Sequence, residues 1–453
     1  MTKSRKTEEQ AAPRRRKTAA QPAHHPALAS TQESAHASTQ PSQGPGAVVT
    51  RRAADRLRAG HLWVYASDVQ AVVPPKAEDT LLPVADQRGL LLGTALYSPS
   101  SQIALRMVSR DAIDEGEWLK LLAERLRAAI ARRKPMLDAE NDACRLCFSE
   151  ADELPGVIAD KYGEIVVLQL LTKGLLSAAV REACVRMLRE ELNPAVIVER
   201  PDPRIREIEG LPAPSTDPLW VAAKKRAVMS TQFHLNGLEF HFDANAGQKT
   251  GAFLDQRGNY AAAREWARRL GSANAGWQGR ALDVCCYQGG FALHLAQVCR
   301  HVTGIDASRA SLEVAEKNLE ANRKQITGEV DWVEADAFEI LRDWSQSGEE
   351  FDAIVLDPPA FAKTKRAVEG ALRGYKELNL RALKMLRADG LLVTCSCSHH
   401  VGWADLEAAV AAAAADAQRR VRLLERRGAA PDHPVVLNMP ETEYLKCLVL
   451  EVN

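Results

Sequence analysis

The stretch Arg280-Ala-Leu-Asp-Val-Cys-Cys-Tyr-Gln-Gly-Gly-Phe-Ala-Leu293 constrains this chain most. Ala281 to Val284 reads as a short apolar strand running into a turn that holds Gly289 and Gly290. A helix is expected from about Phe291, apolar at Phe291, Leu293, Leu295 and Val298. A second apolar strand, His301-Val-Thr-Gly-Ile305, then ends in Asp306, 23 residues after Asp283. This is the first βαβ unit of a doubly wound nucleotide-binding fold, with an acid where a ribose diol would be held.

The turn lacks G-x-G-x-x-G, so its amide cradle for a pyrophosphate is incomplete. S-adenosylmethionine (SAM) has no pyrophosphate, carries net positive charge and suits a turn edged by carboxylates. The pattern therefore favours SAM over a dinucleotide. Downstream, the helix Ser311 to Asn322 leads to the strand Val330-Asp-Trp-Val333 and then to Glu334-Ala-Asp-Ala-Phe338, where an acid can accept from the adenine amine. In Phe351-Asp-Ala-Ile-Val-Leu-Asp-Pro-Pro-Ala-Phe361 a buried strand ends in Asp357-Pro358-Pro359. The helix Gly374 to Leu386 and the strand segment Gly390 to Ser398 follow. The helix Ala404 to Ala417 and the closing strands Val421 to Arg426 and Tyr444 to Glu451 complete five strand–helix units and a hairpin. Asp283, Asp306, Asp336, Asp357 and Cys397 stand at successive strand ends, where open parallel sheets bind ligands. Each acid alone could be a helix cap.

Asp357-Pro-Pro and the cysteines of Cys395-Ser-Cys397 belong to neighbouring strand ends. Carbon-5 of a pyrimidine is not basic enough to be methylated directly. A thiolate that adds to carbon-6 produces an enamine whose carbon-5 can attack a methyl donor, and an acid near N3 stabilises the developing charge. Period-two alternation puts Cys395 and Cys397 on one side of a regular strand, so pattern does not choose between them.

Ahead of this lie three further regions. Residues 1–47 are rich in Ala, Gln, Ser, Thr and Pro, with a basic run Arg14-Arg-Arg-Lys17, and are expected to be a disordered basic tail. From Val48 to about Arg110 short strands alternate with turns, among them Leu81 to Ala85 and Leu90 to Tyr97. Arg51, Arg52, Arg56, Arg58, His61, Trp63 and Tyr65 interleave cations with aromatics, a mix suited to phosphate contact and base stacking, and also to a charged rim. Residues 116–228 read as an α+β domain with helices Glu117 to Lys134 and Ser177 to Leu192. Cys144-Arg-Leu-Cys147 has metal-like spacing, but no second pair accompanies it, and no metal site is expected. Gln232 to Asp243 alternates as a hairpin, and the polar loop Gly247 to Arg257 has the place of a ligand lid.

Composition sets the remaining bounds. The 59 basic and 59 acidic side chains balance, so net charge does not announce a nucleic-acid binder. No apolar run approaches the roughly 20 residues of a membrane span, and nine scattered cysteines fit a reducing cytoplasm better than a disulfide framework.

With these residues in view, the chain from Val48 to Asn453 resembles the bacterial PUA-domain large-subunit rRNA (cytosine-5) methyltransferases. The likeness rests on Glu150-Ala-Asp-Glu-Leu-Pro-Gly156 with Asp160-Lys-Tyr-Gly163, on Gly247-Gln-Lys-Thr-Gly251 with Phe253-Leu-Asp-Gln-Arg257, on Asp283 to Phe291, on Asp357-Pro-Pro-Ala-Phe361 and on Ser396-Cys-Ser398. It implies an α/β class I (Rossmann-like) SAM-dependent methyltransferase domain at 229–453, a PUA β-barrel that binds RNA at 48–115, and a central α+β RNA-recognition domain at 116–228. It implies Cys397 as nucleophile with Asp357 beside it, and SAM held by Asp283, Tyr287, Gly289, Asp306, Asp336, Asp357, Gln256 and Arg257. RNA is expected at Arg51, Arg52, Arg56 and Trp63, the partner is ribosomal RNA, and a homodimer is held open. Two departures stand out: Cys395 offers a second thiol, and Glu153 stands where relatives commonly have glycine. Relatives with the same sheet methylate guanine without a cysteine, which is the alternative enzymatic reading. A catalytically silent RNA-binding assembly factor is the alternative outside enzymes.

Overall fold

The computed structural model describes residues 45–74, 81–200, 202–212, 217–223, 228–245, 251–362 and 364–453. Nearly all of the expected tail, and 247–250 of the expected lid, lie outside these residues.

The N-terminal sheet has six strands, ordered Trp63–Tyr65, Ile103–Ser109, Leu91–Tyr97, Leu81–Ala85, Gly46–Val49 and Val69–Val73. One element there departs from the expected strands and turns. Arg51–Arg58 is a helix, started by Thr50, whose hydroxyl accepts from the Ala53 amide. Ala53, Ala54 and Leu57 are its buried face, so its arginines necessarily line the outer one.

The second sheet runs Trp220–Val221, Val196–Glu199, Ile165–Leu170, Val157–Tyr162 and Cys144–Phe148. Helices Glu115–Arg133 and Ala178–Leu192 cover one face, burying Trp118, Leu122, Leu126, Val180 and Leu188 in a core that also takes in Cys144 and Cys147. Both thiols pack as small hydrophobes, and burial pushes that of Cys144 up to about 12. The two long motifs of this region work structurally. Asp160 takes a two-point grip from Arg145 at 2.8 Å per bond, Tyr162 stacks on Phe242 at 4.2 Å, and Glu150 accepts from the Trp63 indole at 2.8 Å. Glu153 adopts φ 56°, a left-handed conformation that explains why glycine suits this position.

The hairpin Ser230–Leu235 and Leu238–Asp243 is the joint between this sheet and the next. Phe233, Phe240 and Phe242 share one core with Tyr162 and Val167 behind and with Phe291, Leu293 and Val355 in front. The C-terminal sheet then contains β1 (Arg280–Val284), β2 (His301–Asp306), β3 (Glu329–Glu334), β4 (Phe351–Leu356), β5 (Leu386–Ser396), β6 (Val421–Arg427) and β7 (Lys446–Val452). Their spatial order is β3-β2-β1-β4-β5-β7-β6. Strands β1 to β5 are parallel, and β7 runs antiparallel between β5 and β6. Helices α1 (Arg257–Ala273), α2 (Gly290–Leu295), α3 (Arg309–Ala321), α4 (Ala337–Ser347), α5 (Val368–Met385) and α6 (Trp403–Asp416) flank it. The strand order reverses at β1 and β4, so the ends of these two strands open the crevice where ligands bind in such sheets.

Candidate functional site

The turn after β1 is built from unusual backbone. Cys285, Tyr287 and Gly289 have φ of 63°, 51° and 85°. Two non-glycine residues in this region cost of order 1 kcal/mol each and persist only when their surroundings hold them. Here the holding groups are visible. The Tyr287 amide donates to Asp306 Oδ2 at 2.9 Å, and its hydroxyl donates to the Gly251 carbonyl at 3.0 Å. Phe253 meets its ring edge-on at 4.9 Å. A Cβ on Gly289 would stand 2.8 Å from the Trp332 ring, so this position requires glycine by space as well as by φ.

Two cavities meet over this turn. The larger, about 380 Å³, is lined by Phe253, Gln256, Tyr287, Asp306, Asp357 and Cys397, among others. The smaller, about 160 Å³, shares Cys285, Asp306, Pro358 and Pro359 with it and adds Asp336, Phe338 and Phe361. Asp306 accepts one amide on each oxygen, Tyr287 on Oδ2 and Ser308 on Oδ1 at 2.8 Å, which leaves each oxygen a lone pair for a further donor. Asp336 caps α4 through Oδ1, accepting from Phe338 and Glu339. An acid at the end of β2 beside a slot walled by Phe338 and Phe361 suits the ribose and base of a nucleoside, the two parts that SAM would place there.

Gln256 and Asp357 form one unit. The Gln256 amide donates to Asp357 Oδ2 at 2.8 Å, while its own oxygen accepts from Asn259 at 2.6 Å. Asn259 thereby sets which end of Gln256 faces the acid. Cys397 is half-buried on the same cavity, with its thiol 3.9 Å from the Pro358 carbonyl. Cys395 is fully buried, faces Cys447 across the β5–β7 ladder and packs among Leu391, Val393 and Val449. The neighbouring Cys447 thiol and burial push the Cys395 thiol well up. Alternation failed to separate the two because β5 ends at Ser396, so Cys397 belongs to the turn and escapes the strand's period.

Two sequence expectations are corrected by geometry. The Asp283 carboxylate does not line either cavity. It is fully buried, accepts from the Ala292 amide at 2.8 Å, and burial pushes it well above the usual carboxylate range. Arg257 turns away as well, donating to the Ala143 carbonyl at 2.8 Å and standing 3.6 Å from Asp432. Both secure the walls of the site. The cationic face of the N-terminal helix divides likewise. Arg56 donates to the Trp63 carbonyl at 2.7 Å and lies over the Tyr65 ring, and the Trp63 indole is engaged by Glu150, so both serve internal contacts. Arg51 and Arg52 stand outward beside Asp55 and Asp68. The reading from sequence also passed over Phe253, Asp255, Tyr260 and Cys285, which line the larger cavity. Phe253, Asp255 and Cys285 lay inside motifs already singled out, and Tyr260 just beyond one of them.

Comparison with known proteins bears on the domains and the fold. Residues 47–110 match a PUA-like domain and residues 281–378 a methyltransferase domain. Two solved structures, one of a methyltransferase complexed with SAH and one of a SAM-dependent methyltransferase from Streptococcus mutans, share the fold. Each has a TM-score of 0.71 at 18% identity, covering 89% of this chain and 99% of the other. The ribosomal RNA large subunit methyltransferase I of Tolumonas auensis is 35% identical over 392 residues, 86% of this chain and 95% of the relative. That of Klebsiella pneumoniae subsp. pneumoniae is 34% identical over 408 residues, 89% and 97% of the two chains. With a PUA-like domain, a class I methyltransferase sheet and relatives matched along almost their whole length, this chain belongs to the SAM-dependent methyltransferase family of the ribosomal RNA large subunit methyltransferase I proteins.

Proposed function

We propose that this protein transfers the methyl group of SAM to carbon-5 of a cytosine in 23S ribosomal RNA, through a covalent bond between Cys397 and carbon-6. The observation that carries this reading is that Cys397 and Asp357 line one cavity while Cys395 is sealed behind it. SAM, when bound, supplies an electrophilic methyl group. Asp306 would accept from its ribose hydroxyls, with Asp336 and the aromatic slot at its base and Tyr287 and Gly289 shaping the turn beneath.

The Cys397 thiolate adds to carbon-6 and the electron pair moves to carbon-5, which takes the methyl. Loss of the carbon-5 proton then expels the sulfur and restores the ring. Asp357, oriented by Gln256, faces N3 and the exocyclic amine. The two prolines after it remove the N–H donors of positions 358 and 359, so the carbonyls there remain acceptors for that amine. The 48–115 region delivers RNA through Arg51 and Arg52, and 116–228 serves as a second RNA-facing domain. The homodimer left open from sequence is a question for sedimentation to decide.

Two experiments test the mechanism. Cys397→Ala should abolish methyl transfer while SAM binding persists, and Cys395→Ala should cost little beyond packing. RNA carrying 5-fluorocytosine should trap the wild type, because fluorine cannot leave as a proton does. An adduct on the Cys395 peptide would refute the residue assignment. No adduct, together with methylation by Cys397→Ala, would refute the chemistry.

A further inference from the structure

We propose that Lys446 is a positioning residue for the nucleophile: its buried ammonium is held at the turn that carries Cys397 and stabilises the thiolate before the base arrives. The inference rests on Cys397 being the nucleophile. Lys446 opens β7, pairs in register with Ser396 of β5, and is 2% exposed. Its Nζ donates to the carbonyls of Ser398 and Tyr444, both at 2.7 Å. The first of these belongs to the residue after Cys397, so the ammonium is tied to the turn that presents the thiol.

A buried ammonium is costly without a counter-charge, and two carbonyls supply only partial ones. Among the described residues no carboxylate lies within ion-pair distance of Nζ. Burial lowers Lys446 from 10.5 to about 8, and the electrostatic influence that most opposes this comes from Cys397, ahead of Glu443 and Asp405. The surroundings of the thiol make the same point. Asp357 follows β4 and shares its cavity, and Tyr375 of α5, hydrogen-bonded to Ser396 and Ser398, feels its charge. His399 is exposed in the following turn, its ring 5.6 Å from that of Tyr444. Of these groups Lys446 is the buried cation, while Asp357 opposes ionisation of the thiol. A cysteine beside a carboxylate needs such a cation to be a thiolate near neutral pH. The thiol proton leaves to water through the cavity that Cys397 lines.

The test is alkylation by iodoacetamide across pH on the full chain without SAM, read for the Cys397 peptide by mass spectrometry. Cys285, the other half-buried thiol of the site, is pushed far up by its own burial and by the surrounding carboxylates, and contributes little background. Lys446→Gln retains amide donors for the carbonyls but not the charge, whereas Lys446→Arg retains the charge. The Gln variant should raise the midpoint of Cys397 alkylation by about one pH unit or more, slowing the reaction near neutrality about tenfold, and the Arg variant should restore much of it. An unchanged midpoint in a folded Gln variant overturns the proposal. If that variant does not fold, the wild type decides. A folded-state midpoint below that of the same thiol in urea supports the role of Lys446, and one equal or higher overturns it. Because alkylation needs no methyl transfer, a shifted midpoint in a protein that traps no 5-fluorocytosine would refute the cytosine reading, and with it the catalytic role of Lys446, while showing that Lys446 does set the ionisation of Cys397.

Discussion

Acidification should loosen the C-terminal sheet through one buried histidine. His294 is fully buried on α2, between the rings of Tyr260 at 5.3 Å and Phe240 at 6.2 Å. The Gly290 carbonyl stands 2.7 Å from Nδ1 and the Asn236 amide 3.0 Å from Nε2. Because the Asn236 amide donates, Nε2 must accept, and the neutral tautomer with its proton on Nδ1 satisfies both contacts. Burial lowers this histidine from 6.5 to about 4. The unfolded chain therefore binds a proton between those values that the folded chain refuses. Stability is retained above pH 6.5 and lost as pH falls toward 4, reaching ~3.4 kcal/mol at about 1.36 kcal/mol per unit. Between pH 7 and pH 5 the loss is ~2 kcal/mol. Carboxylates titrate in the same window, so the quantity to measure is a difference. Urea unfolding at both pH values should show His294→Gln losing ~2 kcal/mol less than the wild type over that interval. Equal losses in the two proteins would refute the assignment of His294 as neutral and buried.

Three further outcomes are expected. Asp306→Ala should weaken SAM binding by ~1–3 kcal/mol in calorimetry, since ribose hydroxyls and the Tyr287 amide lose a charged acceptor together; unchanged affinity in a folded variant would remove Asp306 from the site. Replacing Arg51 and Arg52 by Ala should reduce the salt slope of RNA binding by about 1.5 and leave SAM affinity alone, and an unchanged slope would make them a charged rim. A Cβ at Gly290 would stand 2.5 Å from the Tyr260 ring, so Gly290→Ala should lower unfolding stability by ~1–3 kcal/mol, with no change if the ring moves freely.

The central strands of the C-terminal sheet were legible because they are buried on both faces and read as short apolar runs. The run from Phe351 that ends in Asp357-Pro358-Pro359 is such a case: its start matches β4, which stops at Leu356 just short of the acid. Boundaries moved where the signal was local. α5 begins at Val368 rather than Gly374, and β7 at Lys446 rather than Tyr444. The helix Arg51–Arg58 was missed for a different reason. Its apolar face is two alanines and one leucine, too faint beside four arginines, aromatics and strands to announce a period of 3.6.

At the site, sequence could nominate acids and thiols at strand ends but not the direction each side chain takes. Asp283 and Asp306 end adjacent strands in register with Gly304 and Glu334, and nothing in their spacing says that one is sealed beneath α2 while the other meets the cavity. That difference arises from where α2 begins: Gly289 turns the chain so that the Ala292 amide descends onto Asp283, and the same turn lifts the Tyr287 amide to Asp306. Cys395 and Cys397 are separated by the same kind of event, the end of a strand between them. Lys446 was invisible for a third reason, since its partner carbonyls lie 48 residues upstream and two residues back. The antiparallel return of β7 beside β5 carries this cation to the turn that holds Cys397. The chemistry of this site is thus written in residue types, but its assignment to particular residues depends on where three turns begin and end.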